Sequence, residues 1–457
     1  MTTLDIHPLA KELGERFSAE GHELFLVGGS VRDLILQRPD DSDLDFTTSA
    51  HPRETTRVLR GWAERQYLVG VKYGTVGATK DGRRLEITTF REEVYAEEHR
   101  KPAVTFGKDV RTDLSRRDFT INAMAVKLPE GEFVDPFGGV KHLASKVLDT
   151  PLDPEVAFSD DPLRMVRAAR FVAQLQVRPA PRVVAAIGAM RHRLSIVSAE
   201  RMRDELDKLM LAPHAADGLA LLVDTGLAES FLPEVPALSL EQDPIQRHKD
   251  VLRHTYAVVT GCEPDLVLRL AALLHDIGKP KTRQITPDGV SFHHHEVVGA
   301  RMARERLQAL RYPSSVTDDV CKLIELHLRF HGYGEGWTDS AVRRYVRDAG
   351  PLLDKLNQLT RADVTTRNEE RAARFRALQD ELEERIAALA EEENLDALRP
   401  PLDGKQVMER LGIGPGPIVG EALDFLMEQR LERGPIPEED AFELLEDWAR
   451  EKGLTGP

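Results

Sequence analysis

Two carboxylates in alternation, Asp43-Leu44-Asp45-Phe46, are the residues of this 457-residue chain best suited to chemistry on a phosphate. In a strand, the side-chain period of two puts Asp43 and Asp45 on one face and Leu44 and Phe46 on the other. Hard divalent ions such as Mg²⁺ bind carboxylate and phosphate oxygens, and a pair of them can activate an attacking hydroxyl and stabilise a leaving group. Upstream, Leu26-Val27-Gly28-Gly29-Ser30-Val31-Arg32-Asp33 reads as the end of a buried strand, a tight Gly-Gly-Ser turn, and a helix over Val31 to Gln37. Such a turn aims backbone N–H groups at one point, the glycines let a polyanion approach, and the helix dipole favours a phosphate there. Either half alone also describes an ordinary turn or a pair of solvated aspartates. Their succession within about twenty residues points to nucleotide chemistry.

A second pattern can choose a base. In Asp160-Asp161-Pro162-Leu163-Arg164, the acids and the proline suit a helix start, and Asp161 and Arg164 are spaced to share a face. A carboxylate accepts from an exocyclic amino group, and a guanidinium donates to ring nitrogens or a carbonyl oxygen. Cytosine and adenine carry such amino groups where uracil and guanine carry a carbonyl oxygen, so one Asp and one Arg can accept C and A without a template. A helix cap with an ion pair is the plainer alternative.

The strand, Gly-Gly-Ser, helix and Asp-x-Asp order resembles the nucleotidyltransferase superfamily that includes DNA polymerase beta. More narrowly, it is similar to the class II tRNA nucleotidyltransferases and bacterial poly(A) polymerases. Arg116-Arg117-Asp118-Phe119-Thr120-Ile121-Asn122-Ala123-Met124-Ala125 resembles that family's second motif, with Ser115 able to cap a helix. The resemblance implies that Arg117 meets the triphosphate and Asp118 senses the ribose. The segment at Asp161 and Arg164 resembles the family's base-pairing signature Glu-Asp-x-x-Arg, with Asp160 standing where Glu is usual. Arg167 and Arg170 follow it, and join Gly28, Gly29, Ser30 and Arg32 as expected nucleotide-binding residues. Ser198 to Leu209 resembles the fourth signature, Glu-Arg-x-x-x-Glu-Leu, and is assigned to supporting the neck. Glu86 stands where the superfamily carries a third carboxylate; a surface strand with one exposed Glu is the alternative. The charged stretch Arg91 to Arg100 reads as a loop, which in this family helps the change from adding cytidine to adding adenosine.

A different chemistry follows Gly226. His254, His275-Asp276 and Asp363, drawn from separate helical runs, combine imidazole and carboxylate as transition metals and activated water require. The set resembles an HD phosphohydrolase domain, and His295 and His327 offer places for a second ion or a phosphate. A degenerate helical body that only supports RNA is the alternative.

The elements that must position these groups can be read from periodicity. Pro8 to Ala19 is an amphipathic helix, Leu24 to Val27 a buried strand, and His51 to Gln66 has helical spacing. Gly74 to Ala78 and Arg84 to Thr89 form a hairpin turning near Lys80-Asp81-Gly82. Val134 to Gly139 closes the head with turn residues. From about Glu155 the pattern is helical throughout, with a long charged helix from Asn368 to Glu393 and a last helical pair beyond Gly412-Ile413-Gly414-Pro415. The expected organisation is multidomain α+β: an α/β head over 1–145, a helical neck over 146–225, an HD-type body over 226–370 and a helical tail over 371–457.

Composition bounds the partners. A length of 457 residues implies two to four domains, and 41% hydrophobic with 30% charged residues fits a globular protein. A net charge of −15 confines any RNA contact to local basic patches and disfavours a polymerase that extends arbitrary RNA. Two cysteines, Cys262 and Cys321, build no disulfide framework. Neither a leader-like stretch nor a bilayer-spanning apolar run is read, so a cytoplasmic location is expected. The resemblance implies addition of CMP and AMP, as CCA or part of it, to tRNA 3′ ends. Mg²⁺ would sit at Asp43 and Asp45, with CTP, ATP and tRNA as partners. Poly(A) polymerase, CC-adding or A-adding activity lies in the same class, and an HD-type metal-dependent phosphohydrolase in another.

Overall fold

A computed structural model describes residues 5–38, 43–68, 70–94, 103–107, 109–240, 250–286, 289–364, 369–393 and 399–454. The chain divides into two compact units, Met1–Pro233 and Glu234–Pro457.

The first unit begins with α1 (Pro8–Ala19), β1 (Leu24–Val27), α2 (Gly29–Ile35), β2 (Leu44–Thr48), α3 (Pro52–Leu59), β3 (Arg65–Tyr67), β4 (Thr75–Lys80) and β5 (Arg83–Thr89). The pair β6 (Arg91–Val94) and β7 (Ala103–Phe106) follows, then α4 (Val110–Ser115), β8 (Ala125–Leu128), β9 (Phe133–Val134) and α5 (Gly139–Ala144). Seven strands make one sheet in the order β3-β4-β5-β2-β1-β8-β9. Alternation explains its two faces. Leu24, Leu26, Leu44, Phe46, Val76, Ala78, Leu85 and Ile87 point into one core, against Leu9, Leu13 and Phe17 of α1. Each such Leu, Ile, Val or Phe side chain contributes about 1.5–3 kcal/mol when fully buried. Phe25 and Val27 point the other way, to Phe90, Leu114, Ala123 and Ala125. At Gly14 a Cβ would lie 2.5 Å from Leu128 Cβ, so glycine lets α1 lie close on β8.

The rest of this unit holds β10 (Val147–Leu148), α6 (Pro154–Asp160), α7 (Leu163–Leu175), β11 (Arg178–Pro179), α8 (Pro181–Met190), α9 (Ala199–Met210) and α10 (Ala215–Asp224). A Cβ at Gly218 of α10 would meet the Ala169 carbonyl of α7 at 2.6 Å, which marks how closely these helices approach.

The second unit contains α11 (Val251–Gly261), α12 (Leu266–Leu274), α13 (Lys279–Thr282), the hairpin β12 (Gln284–Thr286) and β13 (Gly289–Ser291), α14 (His295–Ala309) and α15 (Ser314–Leu326). It continues with α16 (Asp339–Ala349), α17 (Leu353–Asp363), α18 (Glu369–Glu393), α19 (Gly404–Leu411), α20 (Pro417–Arg433) and α21 (Glu438–Glu451). The last three share a core of Val407, Ala422, Leu426, Leu445 and Trp448. None of the described helices is long and apolar enough to cross a membrane.

The α/β head followed by helices is as expected, but several local readings are corrected. Gly28, at φ +69°, makes the whole turn, so Gly29 and Ser30 already belong to α2. The helical spacing from His51 ends at Leu59, and Arg65–Tyr67 pairs with β4 as an edge strand. Ser115 closes α4, its hydroxyl bonded back to Thr112 O, and caps no following helix. The chain after Glu155 is interrupted by two-stranded pairings, whereas the last helical pair beyond Gly412 is found as α20 and α21. Of the expected loop at Arg91 to Arg100, Arg91–Val94 is strand, and the remainder lies outside the described residues.

Candidate active site

The head site is built where β1 gives way to α2. The Ser30 hydroxyl donates to Asp43 O and accepts from the Asp45 N–H, both at 3.2 Å, so the first turn of α2 grips the acidic segment. Asp43 lies just ahead of β2 and Asp45 within it. A Cβ built on Gly28 would sit 2.9 Å from Arg117 Nη1 and 3.7 Å from Asp45 Oδ2. Glycine therefore leaves an opening walled by one guanidinium and one carboxylate. Asp45 is directly opposite Glu86 of the parallel strand β5. Burial pushes the Asp45 carboxyl up to about 6; Arg117 opposes this, and Glu86 and Asp43 add to it. Neighbouring carboxylates that resist joint ionisation are the donor set a divalent cation satisfies.

A second layer surrounds Asp118. Its Oδ1 accepts from Phe119 N at 2.8 Å and Asn122 Nδ2 at 3.0 Å, and its Oδ2 accepts from Arg167 Nε at 3.0 Å and Nη2 at 2.5 Å. Burial would raise its pKa, but Arg167 and the Asn122 hydrogen bond hold the carboxyl well below the usual range. Arg32 donates to Asn122 Oδ1 at 2.8 Å and pairs with Asp33 at 2.7 Å. Arg170 forms an ion pair with Glu205 at 2.9 Å and lies over the Phe171 ring, 4.4 Å from its centroid. Burial, with Arg167 nearby, lowers the Arg170 pKa to about 10. Arg117 pairs with Asp113 at 3.4 Å.

The expected base-reading residues are held separately. Asp161 is not in the helix with Arg164 but at the extended break after α6, φ −142°. Its Oδ2 accepts from Arg201 Nη2 of α9 at 2.8 Å, and its Oδ1 from Leu163 N at 3.2 Å. Arg164 donates to the carbonyls of Ala157 at 3.2 Å and Arg116 at 2.5 Å. Both side chains are thus oriented by partners other than each other. The sequence places Arg201 only in a supporting helix. Its link to Asp161 spans 40 residues and leaves no local signal. Glu205, which faces Arg167 and Arg170, was missed in the same way.

In the second unit, His254 of α11, His275-Asp276 after α12 and Asp363 at the end of α17 converge. His254 Nε2 lies 2.9 Å from Asp363 Oδ1, and His275 Nε2 lies 3.2 Å from Asp276 Oδ2. His275, His295 and His327 each place Nδ1 at 2.7–2.8 Å from the carbonyl three residues back, which turns Nε2 inward. Among the described residues, two groups can hold a metal: His254, His275 and Asp276, and Asp276, His295 and His327. Asp276 Oδ1 and His295 Nε2, 3.4 Å apart and buried, have no hydrogen-bond partner, as suits a cation between them. Burial disfavours a charged His275, but Asp276 and Asp363 outweigh it and hold its pKa up at about 10. Lys279 donates to Asp276 Oδ2 at 2.7 Å, and His331 lies 3.7 Å from Asp363. The cavity between them is about 210 Å³. At Gly278 a Cβ would meet His295 O at 2.2 Å, so only glycine lets this turn close on α14.

Comparison with known proteins gives three matching family models. They are the Poly A polymerase head domain over residues 24–149, a probable RNA and SrmB-binding site of polymerase A over 177–238, and an HD domain over 251–392. The CCA-adding enzyme of Geobacillus thermodenitrificans is 31% identical over 451 residues, 98% of each chain. That of Anoxybacillus flavithermus is 43% identical over 222 residues, 48% of this chain and only 54% of its own. The solved CCA-adding enzyme of Bacillus stearothermophilus in complex with CTP is 27% identical with a TM-score of 0.72, over 98% of this chain and 99% of its own. The Thermotoga maritima CCA-adding enzyme complexed with tRNA shares the fold at 18% identity and a TM-score of 0.60, over 96% of this chain and 95% of its own.

Proposed function

The chain belongs to the CCA-adding enzyme family, and we propose that it adds CMP and AMP, without a nucleic-acid template, to the 3′ end of tRNA. The observation that carries this reading is the opening at Gly28, with Asp45 Oδ2 on one side and Arg117 Nη1 on the other. Asp43 and Asp45 would hold Mg²⁺, which when bound favours the ionised ribose hydroxyl and neutralises charge on the phosphates. The terminal ribose oxygen of the tRNA forms a bond to the nucleotide α-phosphorus, the bond to the β-phosphate bridge breaks, and pyrophosphate leaves. Arg117, Arg32, the α2 N-terminus at Gly28 and Gly29, and Ser30 bind and orient the triphosphate. Asp118, fixed by Arg167 and Asn122, reads the ribose. Asp161 accepts from the amino group of cytosine or adenine while Arg164 donates, each held in place by Arg201 and by the Ala157 and Arg116 carbonyls. Arg170 stiffens this wall through Glu205 and Phe171. Such work belongs in the cytoplasm, where tRNA is processed.

The test is the mass of the product when purified protein meets tRNA lacking its 3′ CCA and all four nucleoside triphosphates. Addition of C, C and A is the expected result. A long A tail would mark a poly(A) polymerase, C alone a CC-adding enzyme, and incorporation of U or G would refute the base-reading pair.

A second activity is favoured by the orphaned Asp276 Oδ1 and His295 Nε2. His254, His275, Asp276 and Asp363 would hold a divalent transition metal or Mg²⁺ for hydrolysis of a phosphomonoester or cyclic phosphate at an RNA end. Release of inorganic phosphate from monoester ends, or opening of cyclic ends to a monoester, abolished in His275→Ala with nucleotide addition intact, is the test.

A further inference from the structure

The sheet face that carries Asp45 continues well beyond it. Strand register aligns Asp45 with Glu86, Glu86 with Gly77, and Gly77 with Tyr67, one row across β2, β5, β4 and β3. Residues directly opposite in adjacent strands share a face, so this row spans three strand spacings, about 14 Å. The parallel row places Arg84 opposite Thr79 and Thr79 opposite Arg65. Leu85, Ile87, Val76 and Ala78 fill the core beneath, which leaves Arg65, Tyr67, Arg84 and Glu86 exposed above.

Tyr67 is the notable member. A Cβ at Gly77 would lie 3.3 Å from Tyr67 Cβ and 3.6 Å from its Cδ2, so the missing side chain lets the ring lean over the sheet. The phenol accepts from Thr79 Oγ1 at 3.3 Å, and the residue remains 42% exposed. The Thr79 hydrogen bond, together with Arg65 and Arg84, holds the phenol below its usual pKa. An aromatic ring with guanidinium groups beside it is the combination that holds single-stranded nucleic acid: bases stack on the ring and phosphates meet the cations.

The direction of the reaction selects the occupant. On the opposite side of Asp45 lies β1, which ends in Gly28 and the triphosphate cradle. In an in-line displacement, the attacking and leaving oxygens lie on opposite sides of the phosphorus. The leaving pyrophosphate lies toward β1, so the attacking strand must enter over β5, β4 and β3. We propose that this shelf holds the single-stranded 3′ end of the RNA substrate, with a base of the nucleotides just behind the terminal ribose stacked on Tyr67 and their phosphates beside Arg84 and Arg65. Glu86, the acid in the row, stands next to Asp45 at the terminal-ribose end. The proposal rests on the nucleotidyl-transfer reading given above and adds the path of the acceptor strand to it.

Steady-state kinetics with tRNA lacking CCA test it in the full chain carrying Tyr67→Ala, Tyr67→Phe or Arg84→Ala. The result expected is a rise of about tenfold in KM for tRNA in Tyr67→Ala and Arg84→Ala, on the scale of one base stack or phosphate contact. KM for CTP is unchanged, and Tyr67→Phe behaves as wild type. Wild-type KM for tRNA in both truncated variants overturns the shelf, as does an equal loss toward CTP and tRNA. A wild-type protein that adds no nucleotide overturns the underlying reading instead, so the two failures are distinct.

Discussion

The hydroxyl of Ser30 and the backbone N–H of Asp45 are joined by a 3.2 Å hydrogen bond, and the same hydroxyl donates to Asp43 O. One side chain on the first turn of α2 thereby sets the distance between the Gly28 turn and both acids. Ser30→Ala removes both bonds, each worth about 1 kcal/mol. We expect a loss of about tenfold in kcat for CMP addition, with tRNA affinity retained. Single-turnover kinetics with labelled CTP check this.

Asp118 depends on pH through Arg167. Its pKa is lower in the folded chain than the ordinary 3.8. The ionised carboxylate therefore stabilises the fold fully above about pH 4, and this contribution is lost as pH falls below the ordinary value toward the lowered one. Asp118→Asn leaves Arg167 without its closest acid and should cost about 3 kcal/mol at pH 7. The Tm difference between wild type and variant should narrow on acidification to pH 3. A constant gap would contradict the role of the ion pair.

Arg201 holds the Asp161 carboxylate from a half-exposed position, so its contribution is modest. In Arg201→Ala, selection of CTP and ATP over UTP and GTP should weaken by about three- to tenfold. Competition assays with paired nucleotides read this directly, and Tm should barely change.

Asp276 is shared by both metal-capable groups of the second unit. Asp276→Asn should abolish the rise in Tm that Mn²⁺ or Ni²⁺ produces in wild type, while CMP addition proceeds normally. A Tm that still rises with metal in the variant would place the ion elsewhere.

How far these relationships could be read in advance depended on their range. Pro8–Ala19 was legible because its burial follows one helical period, and Leu24–Val27 because a short apolar run buried on both faces reads as a central strand. The Asp-x-Asp segment was legible because a strand alternates whatever its neighbours do. Asp161 and Arg164 misled, since Pro162 follows a residue in extended conformation and the shared helical face never forms. The grip of Arg201 on Asp161 and of Glu205 on Arg170 joins distant helices, and charge at helical spacing does not say which neighbour it meets. His295 and His327 could be named from the sequence, but the way the carbonyls of Phe292 and Ile324 turn their rings could not.

The most direct measurement is the rate of labelled CMP incorporation into tRNA lacking CCA by Asp45→Asn, set beside its affinity for tRNA. Asn keeps the shape of Asp45 and removes its charge, so incorporation should fall by about three orders of magnitude or more while tRNA binding stays within twofold of wild type. Incorporation at the wild-type rate would contradict the assignment of this carboxylate, and with it the site at Gly28, to nucleotidyl transfer.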